Sequence, residues 1–496
     1  MQFCLDADLI NADMMSDKGL IRCRADSDLI RYSRGDFQIK VHKRRIGSFS
    51  KYCTQLCKQS LITGFPVIAS TRNLLRKIIK VLVFVGCTCG FLYQTSEFLN
   101  LYRAYPTMVD IEVDTPAEVD IPALSFCNAN RIRRDELCSK TPQDCSYYNN
   151  VTEICTELPK YCPKPVNPAN IIMGIPLFLA YERRNRSREY VQNLGERLED
   201  FMAECTVKTR VQQPCKNHVE VSWVDSKGLP HNCFTVESLW GLPQKEARKM
   251  PLSGRISLYL KPQPEQYLLY FDIVLVHILM HEAHSLVNPF KEGLAMEVGK
   301  TYNIFINQRV TERLPAPYQT NCTDYLKLWK KNGGYGPLTR KACTEQCKME
   351  NMLETDGCVA QSISYPENYI ICDDDEKYPS DDLVKKCSLQ CNDACREVSY
   401  TLYQELAYDQ TVKCNGDENC MYKDIFLNFI FNRLEVEKFL HQPRFEDVEM
   451  FSYIGGYMGM WLGISLVSLF DFLETLVSLA SYTCRNKKQK KPVLIC

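Results

Sequence analysis

Two stretches of the chain are uncharged over lengths that call for explanation. The first runs from Val81 to Ser96, VLVFVGCTCGFLYQTS. Ile78 and Ile79 extend it past Lys80, whose aliphatic stem can lie along an apolar surface with the ammonium at an interface. With FLNLY after Glu97 it reaches about 20 residues, the usual length of a membrane-crossing helix. A buried core helix is the alternative. The second stretch, Met450 to Phe470, has 21 residues without a charge, and after Asp471 and Glu474 residues 475–484 are again uncharged. A straight helix over 450–484 would run roughly 50 Å at 1.5 Å per residue. A bilayer's hydrocarbon core is about 30 Å thick, so this segment is tilted, extends out of the bilayer, or is broken inside it.

Between these stretches the pattern changes. IPALSFCNAN, RISLYL, DIVLVHILMH and TYNIFINQRVTERL are short apolar runs bounded by polar residues, and they predict strands of an antiparallel sheet. KACTEQCKMENML predicts a helix with Cys343 and Cys347 one turn apart on one face. LVKKCSLQCNDACREV repeats that spacing at Cys387, Cys391 and Cys395 and predicts a second helix stapled to the first. The expected fold is a membrane protein with two transmembrane helices and a large disulfide-rich α+β domain. That domain combines a central antiparallel sheet with a helical subdomain at about 320–400. No repeat or low-complexity stretch is present.

Composition adds a compartment. Of 26 cysteines, eighteen fall between Cys127 and Cys420, a density typical of disulfide frameworks made under oxidising conditions. The same block carries three N-glycosylation triplets, at Asn150, Asn185 and Asn321. Residues 1–50 are charged and lack a secretory core, so the spans themselves must direct the block across the membrane. Arg72, Arg76, Lys77 and Lys80 flank the first span; Arg485, Lys487, Lys488, Lys490 and Lys491 follow the second. Both basic flanks belong on the cytoplasmic side. The expected organisation is a cytoplasmic region over 1–75, a span over 76–99, an extracellular domain over 100–449, a span over 450–480 and a cytoplasmic tail over 481–496. Acidic and basic residues balance at 60 each, and mean hydropathy is −0.26. Neither a nucleic-acid partner nor a wholly embedded protein is indicated.

The glycines of GGYMGMWLGIS, Gly455, Gly456, Gly459 and Gly463, are small residues in an apolar segment. A plain packing face is the commoner meaning of that spacing. Asp471 and Glu474 change the reading, because carboxylates are costly in lipid and belong facing water. Irregular backbone at membrane depth is tolerated where it lines a water-filled cavity, and its carbonyls can replace a cation's hydration shell.

Several motifs, in order along the chain, resemble those of the epithelial sodium channel, degenerin and acid-sensing ion channel family. SLITGFPVIASTRNLLRKI resembles the segment before the first span. YRAYPTMVDIEV followed by IPALSFCNANRIR resembles the motif after it. HNCFTVES, LVHILMHEAHSLVNP and QRVTERLPAPYQTNC are similar to palm and thumb motifs. IGGYMGMWLGISLVSLFDFLE is similar to the second span. The resemblance covers about residues 52–480 and implies an amiloride-sensitive, sodium-selective trimeric channel of the plasma membrane, built from identical or related subunits with lipid around them. Sodium is the permeant ion, and neither a cofactor nor a metal is implied. Gly463, Ile464 and Ser465 become the selectivity filter. Ser452, Gly455, Gly456 and Gly459 form the pore mouth and gate, and Asp471 and Glu474 line the pore. Gly64 and the pair Tyr105 and Tyr318 bear on gating.

The resemblance also implies the disulfides Cys127–Cys233, Cys205–Cys215, Cys322–Cys395, Cys343–Cys391, Cys347–Cys387 and Cys358–Cys372. Cys414 and Cys420 close a local loop, and Cys138, Cys145, Cys155 and Cys162 pair among themselves in an order left open. The sequence departs from the family at Thr63, where a histidine is usual, at Tyr453, where an aspartate is usual, at Tyr318 for tryptophan, and at Ala360 for cysteine.

Other chemistry is weaker. His277, His281, Glu282 and His284 lack the zincin spacing; satisfied histidines are the commoner outcome. DDDEK at 373–377 reads as a solvated loop. No nucleophile constellation or phosphate loop indicates an enzyme. ATP-gated channels and two-span binding receptors share the topology, but the first lack the Gly-x-Ser filter and the second have no use for Asp471 and Glu474. The gating stimulus is not written in these motifs.

Overall fold

A computed structural model describes residues 24–25, 28–29, 58, 64–162, 173–177, 188–209, 211–372, 377–407 and 422–489. The chain divides into two units, one formed by residues 104–444 and the other by residues 1–103 with 445–496.

Two sheets build the unit 104–444. In the larger, Arg396–Ala407, Lys300–Glu312, Ile425–Pro443, Arg255–Leu260, Met202–Lys208 and Gln212–Pro214 lie side by side, and Thr107–Asp114 pairs with the far half of Ile425–Pro443. In the smaller, the order is Val219–Val224, Pro230–Val236, Ala123–Asn128, Leu275–His281 and Leu294–Glu297. Arg255–Leu260 alternates between buried and less buried positions, the period of a strand with one face on a core. Pro230–Val236 and Ala123–Asn128 are buried at every residue, as strands covered on both faces must be. Leu124, Phe126, Phe234 and Ile278 of the smaller sheet share one core with Ile256, Leu258, Ile304 and Phe429 of the larger.

All four predicted strands form, but the larger sheet is mixed rather than antiparallel. Lys300–Glu312 runs parallel to Ile425–Pro443, with an irregularity between Ile306 and Gln308. Residues 313–424 intervene between the two strands, long enough for the crossover that parallel pairing requires.

The helical subdomain contains Tyr325–Lys331, Arg340–Asp356 and Asp381–Gln390. Thr339 caps the second, its hydroxyl accepting from the Ala342 N–H, and Gly357 ends it at φ 70°, a left-handed conformation that glycine adopts without a Cβ penalty. The expected second helix is shorter than its cysteine spacing suggests. Cys387 lies on it, Cys391 terminates it, and Cys395 lies beyond it, just before the strand Arg396–Ala407. Cys395 bonds Cys322, the pairing that the resemblance implies, and so adds no rung between the two helices; it lies beside the parallel bridge of Thr323 to Ala394.

The second unit is helical, with Gly64–Ser70, Leu74–Arg103, Asp447–Leu462 and Leu466–Gln489. Among the described residues no single helix is long and apolar enough to cross a membrane. Asp447–Leu462 and Leu466–Ser478 pass that test together, bent by 77° at the break.

Candidate functional site

The break falls at Gly463–Ser465, and its hydrogen bonds explain it. Gly463 takes φ 62° and its N–H donates to the Gly459 carbonyl at 3.0 Å. The Ile464 N–H turns back to the Met458 carbonyl at 3.4 Å, a bonding pattern that closes helix C-termini. Ser465 starts the next helix: its hydroxyl accepts from the Ser468 N–H at 3.2 Å, and its own N–H donates to the Ser468 hydroxyl at 3.1 Å. Two serines thus cap each other's backbone, in the manner of a capping box. The N–H groups that a continuous helix would send to the Met460 and Trp461 carbonyls are directed elsewhere. Those carbonyls are released from the ladder, and a bent helix with released carbonyls can offer oxygen ligands to a cation. The Ser-x-x-Ser spacing is the signal that sequence reading passed over.

Asp447–Leu462 begins with a capping box of Glu446 and Glu449. Ser452 is exposed and its hydroxyl donates back to the Val448 carbonyl at 3.0 Å. Ser452, Gly456 and Met460 lie along an open groove of about 460 Å³. A Cβ built on Gly455, Gly456 or Gly459 meets nothing within 4 Å, so packing inside the chain does not account for these glycines. On Leu466–Gln489, Ser468, Asp471, Glu474 and Thr475 recur at helical spacing on one side. Leu466, Val467, Phe470, Leu473 and Val477 are exposed. Gly64 starts the helix Gly64–Ser70.

The first helix meets Asp447–Leu462 along a seam spaced by four residues. The Tyr102 hydroxyl donates to Asp447 Oδ1 at 2.5 Å. Phe98 packs against Phe445, Tyr453 and Tyr457 with ring centroids 5.5, 4.9 and 6.2 Å away. Tyr453, where the family usually has aspartate, is therefore a packing residue. Trp461 Nε1 donates to Gln94 Oε1 at 2.7 Å, and its ring covers Gly90.

In the unit 104–444, Tyr105 and Tyr318 meet edge to face at 5.6 Å. Tyr105 holds φ 47°, unusual for a residue with a Cβ. The disulfides formed are Cys127–Cys233, Cys138–Cys145, Cys155–Cys162, Cys205–Cys215, Cys322–Cys395, Cys343–Cys391, Cys347–Cys387 and Cys358–Cys372. The order left open is thereby resolved: each cysteine of the early cluster joins its nearest neighbour in sequence. Ala360, standing where the family has cysteine, is buried at 1% exposure. Asn150 caps a helix, accepting from the Glu153 N–H. Asn321 sits at φ 38°. Asn185, Cys414, Cys420 and residues 373–376 lie outside the described residues.

His281 is a satisfied core histidine: Nε2 lies 2.7 Å from the Ser125 hydroxyl, which lies 2.6 Å from that of Thr235. Burial holds its pKa down to about 4, so it stays neutral. His277 packs against Phe290 at 4.7 Å. No group of three His, Cys, Asp or Glu side chains among the described residues is placed to hold a metal.

Cys127-Asn-Ala-Asn130 owes its asparagines to backbone satisfaction. Asn128 Nδ2 donates to the Pro262 carbonyl and to Glu196 Oε2, and its Oδ1 accepts from the Tyr267 hydroxyl and the Asn130 N–H. Glu196, which sequence reading did not single out, is 2% exposed. Burial pushes its carboxyl up to about 8, against the opposing pull of the Arg133 guanidinium.

The amiloride-sensitive sodium channel family profile matches residues 56–475, and the chain belongs to that family, a family of ion channels rather than enzymes. It is 21% identical to the FMRFamide-activated amiloride-sensitive sodium channel of Cornu aspersum, over 88% of this chain and 84% of that one. Identity is 23% to the bile acid-sensitive ion channel of Rattus norvegicus, over 83% and 85%. It is also 23% to acid-sensing ion channel 1B of Danio rerio, over 84% and 75%. A proton-activated chloride channel solved by cryo-EM aligns at 7% identity over 81% of this chain and 98% of that one, with a TM-score of 0.29, too low to assign a fold.

Proposed function

We propose that the chain is a pore-forming subunit of an amiloride-sensitive, sodium-selective channel in the plasma membrane. Leu74–Arg103 and the bent pair cross the bilayer, both termini are cytoplasmic, and three subunits surround one pore. The observation that carries this reading is the break at Gly463–Ser465 between two apolar helices, with carbonyls released from the helical ladder at Met460 and Trp461. Gly463, Ile464 and Ser465 form the filter. Gly455, Gly456 and Gly459, where a Cβ would meet nothing within 4 Å among the described residues, allow neighbouring subunits to approach, and Ser452 lies at the pore mouth. Asp471 and Glu474 face water below the filter and concentrate cations. Tyr105 with Tyr318 couples the thumb to the first span, and Gly64 bears on cytoplasmic gating. The relatives' names point to different activating ligands, so the stimulus of this chain is left to experiment.

The test is two-electrode recording from oocytes expressing Ser452→Phe, with amiloride added and sodium exchanged for potassium. A bulky ring at the pore mouth is expected to wedge the gate and give a sodium-preferring, amiloride-blocked current that Gly463→Arg removes. Surface-exposed, glycosylated protein without current, alone and with co-expressed related subunits, would overturn the channel reading in favour of a binding receptor.

A further inference from the structure

The seam between the first helix and Asp447–Leu462 carries a polar contact at each end, Tyr102 with Asp447 at the start of the second helix and Gln94 with Trp461 at the last turn before the break. Trp461 Nε1 donates to Gln94 Oε1 at 2.7 Å. Gln94 is half-buried. Beneath the indole is Gly90, one turn before Gln94; a Cβ there would lie 2.9 Å from the ring. The six-membered edge of the indole thus rests on a glycine while its N–H is held by an amide. Both degrees of freedom of the ring, its height over the first helix and its rotation, are fixed by residues of that helix.

Trp461 is also part of the backbone that the break reshapes. The Ile464 N–H goes to Met458 and the Ser465 N–H to the Ser468 hydroxyl, so the Met460 and Trp461 carbonyls lose their helical donors. A carbonyl without its helical donor is free to tilt, and its direction then depends on what holds its residue. A hydrogen bond between two spans favours the rotation of the helical turn that makes it.

We propose that Gln94 is a positioning residue for the selectivity filter: through the Trp461 indole it fixes the last turn of Asp447–Leu462 and the carbonyls released there. This rests on the channel reading of the break. It assigns a filter role to the first helix, which contributes no filter residue of its own.

The experiment is a double-mutant cycle with Gln94→Leu, which removes the acceptor, and Trp461→Phe, which removes the donor and keeps a ring. Each is made in the Ser452→Phe background and assayed for the sodium-to-potassium permeability ratio from reversal potentials. Each single variant is expected to lower the ratio about threefold or more. The double variant should fall no further than the worse single, because the two changes break one interaction. Gln94→Glu, which keeps an acceptor, is expected to retain more of the ratio than Gln94→Leu. Gly90→Ala, which lifts the ring without touching the hydrogen-bonding groups, should lower it as well.

Melting temperatures of the same solubilised proteins supply a second cycle that needs no current. Coupling in the melts with an unchanged permeability ratio would overturn the filter role and leave a purely structural bond. Additive effects in both cycles would overturn the bond itself. A Ser452→Phe chain that reaches the surface and passes no sodium current, alone and with co-expressed related subunits, overturns the channel reading and the filter role with it, while the melting cycle still decides the hydrogen bond.

Discussion

In the unit 104–444 the strand Pro230–Val236 is buried at every position. In the helical unit Asp447–Leu462 buries none of its residues, and Leu74–Arg103 buries only Phe98. Apolar content is not what separates them, since Pro230–Val236 buries His231, Asn232 and Thr235 along with its apolar residues while the helices leave apolar side chains exposed. The sheets turn that surface against each other and stabilise themselves within one chain, at about 25 cal/mol for each Å² removed from water. The helices leave Leu82, Val83, Phe470 and Val477 exposed, and lipid and neighbouring subunits are the surroundings in which that exposure carries no penalty. The sheet unit buries its apolar surface within one chain; on the proposed reading, the helical unit's exposed apolar surface is covered by lipid and neighbouring subunits.

The comparison breaks most visibly at a glycine. A Cβ at Gly459 meets nothing within 4 Å among the described residues, so in Gly459→Leu melting of the sheet unit should stay within about 0.5 kcal/mol of wild type. On the proposed reading, in which neighbouring subunits approach at this face, the sodium current should fall at least tenfold. A variant with full current would show that this face is not an interface. In the sheet unit the converse holds. Phe126 is 0% exposed and stacks among Phe201 and Phe234, so Phe126→Ala should cost about 3–5 kcal/mol and abolish surface expression. Normal surface glycoprotein would place that core elsewhere.

A third effect is pH-dependent. Glu196 holds its proton in the folded protein up to about pH 8, above the ordinary carboxyl value of 4.5. The folded chain binds this proton where the unfolded chain has lost it, so the associated stability is full at pH 4.5 and lost as pH rises toward 8. Glu196→Gln, neutral at every pH, should melt higher than wild type at pH 8, with an advantage over its pH 5 behaviour of about 2–4 kcal/mol. Parallel melting curves across that range would remove Glu196 as the cause. The smallest effect belongs to Tyr105→Ala, which removes an edge-to-face pair worth about 0.5–1.5 kcal/mol. Gating kinetics should change more than melting does, and unchanged kinetics would reduce the Tyr105–Tyr318 contact to packing.

What the sequence revealed follows the range of the interactions involved. Cys343 and Cys347 announced their helix because a spacing of four is a property of one element. The break near Gly463 was legible as a conflict between segment length and bilayer thickness, though its position rested on resemblance. The parallel partnership of Lys300–Glu312 with Ile425–Pro443 was not legible: alternation reports which face is buried, and both pairing directions bury the same face. Cys395 misled because a four-residue spacing continues on paper after the helix has ended. Glu196 was invisible because its partners are distant in sequence: Asn128, 68 residues away, bonds its carboxyl, and Asn232, 36 residues away, bonds its backbone carbonyl.

The cross-strand bond between Cys127 and Cys233 has one further consequence. These residues face each other in the register of Ala123–Asn128 with Pro230–Val236, across a sequence separation of 106. Slippage by one residue would turn the two thiols to opposite faces. In the folded chain the bond therefore fixes the register of these two neighbouring strands. The disulfide acts as a covalent register pin: while it is closed, neither strand can slide past the other without breaking the S–S bond.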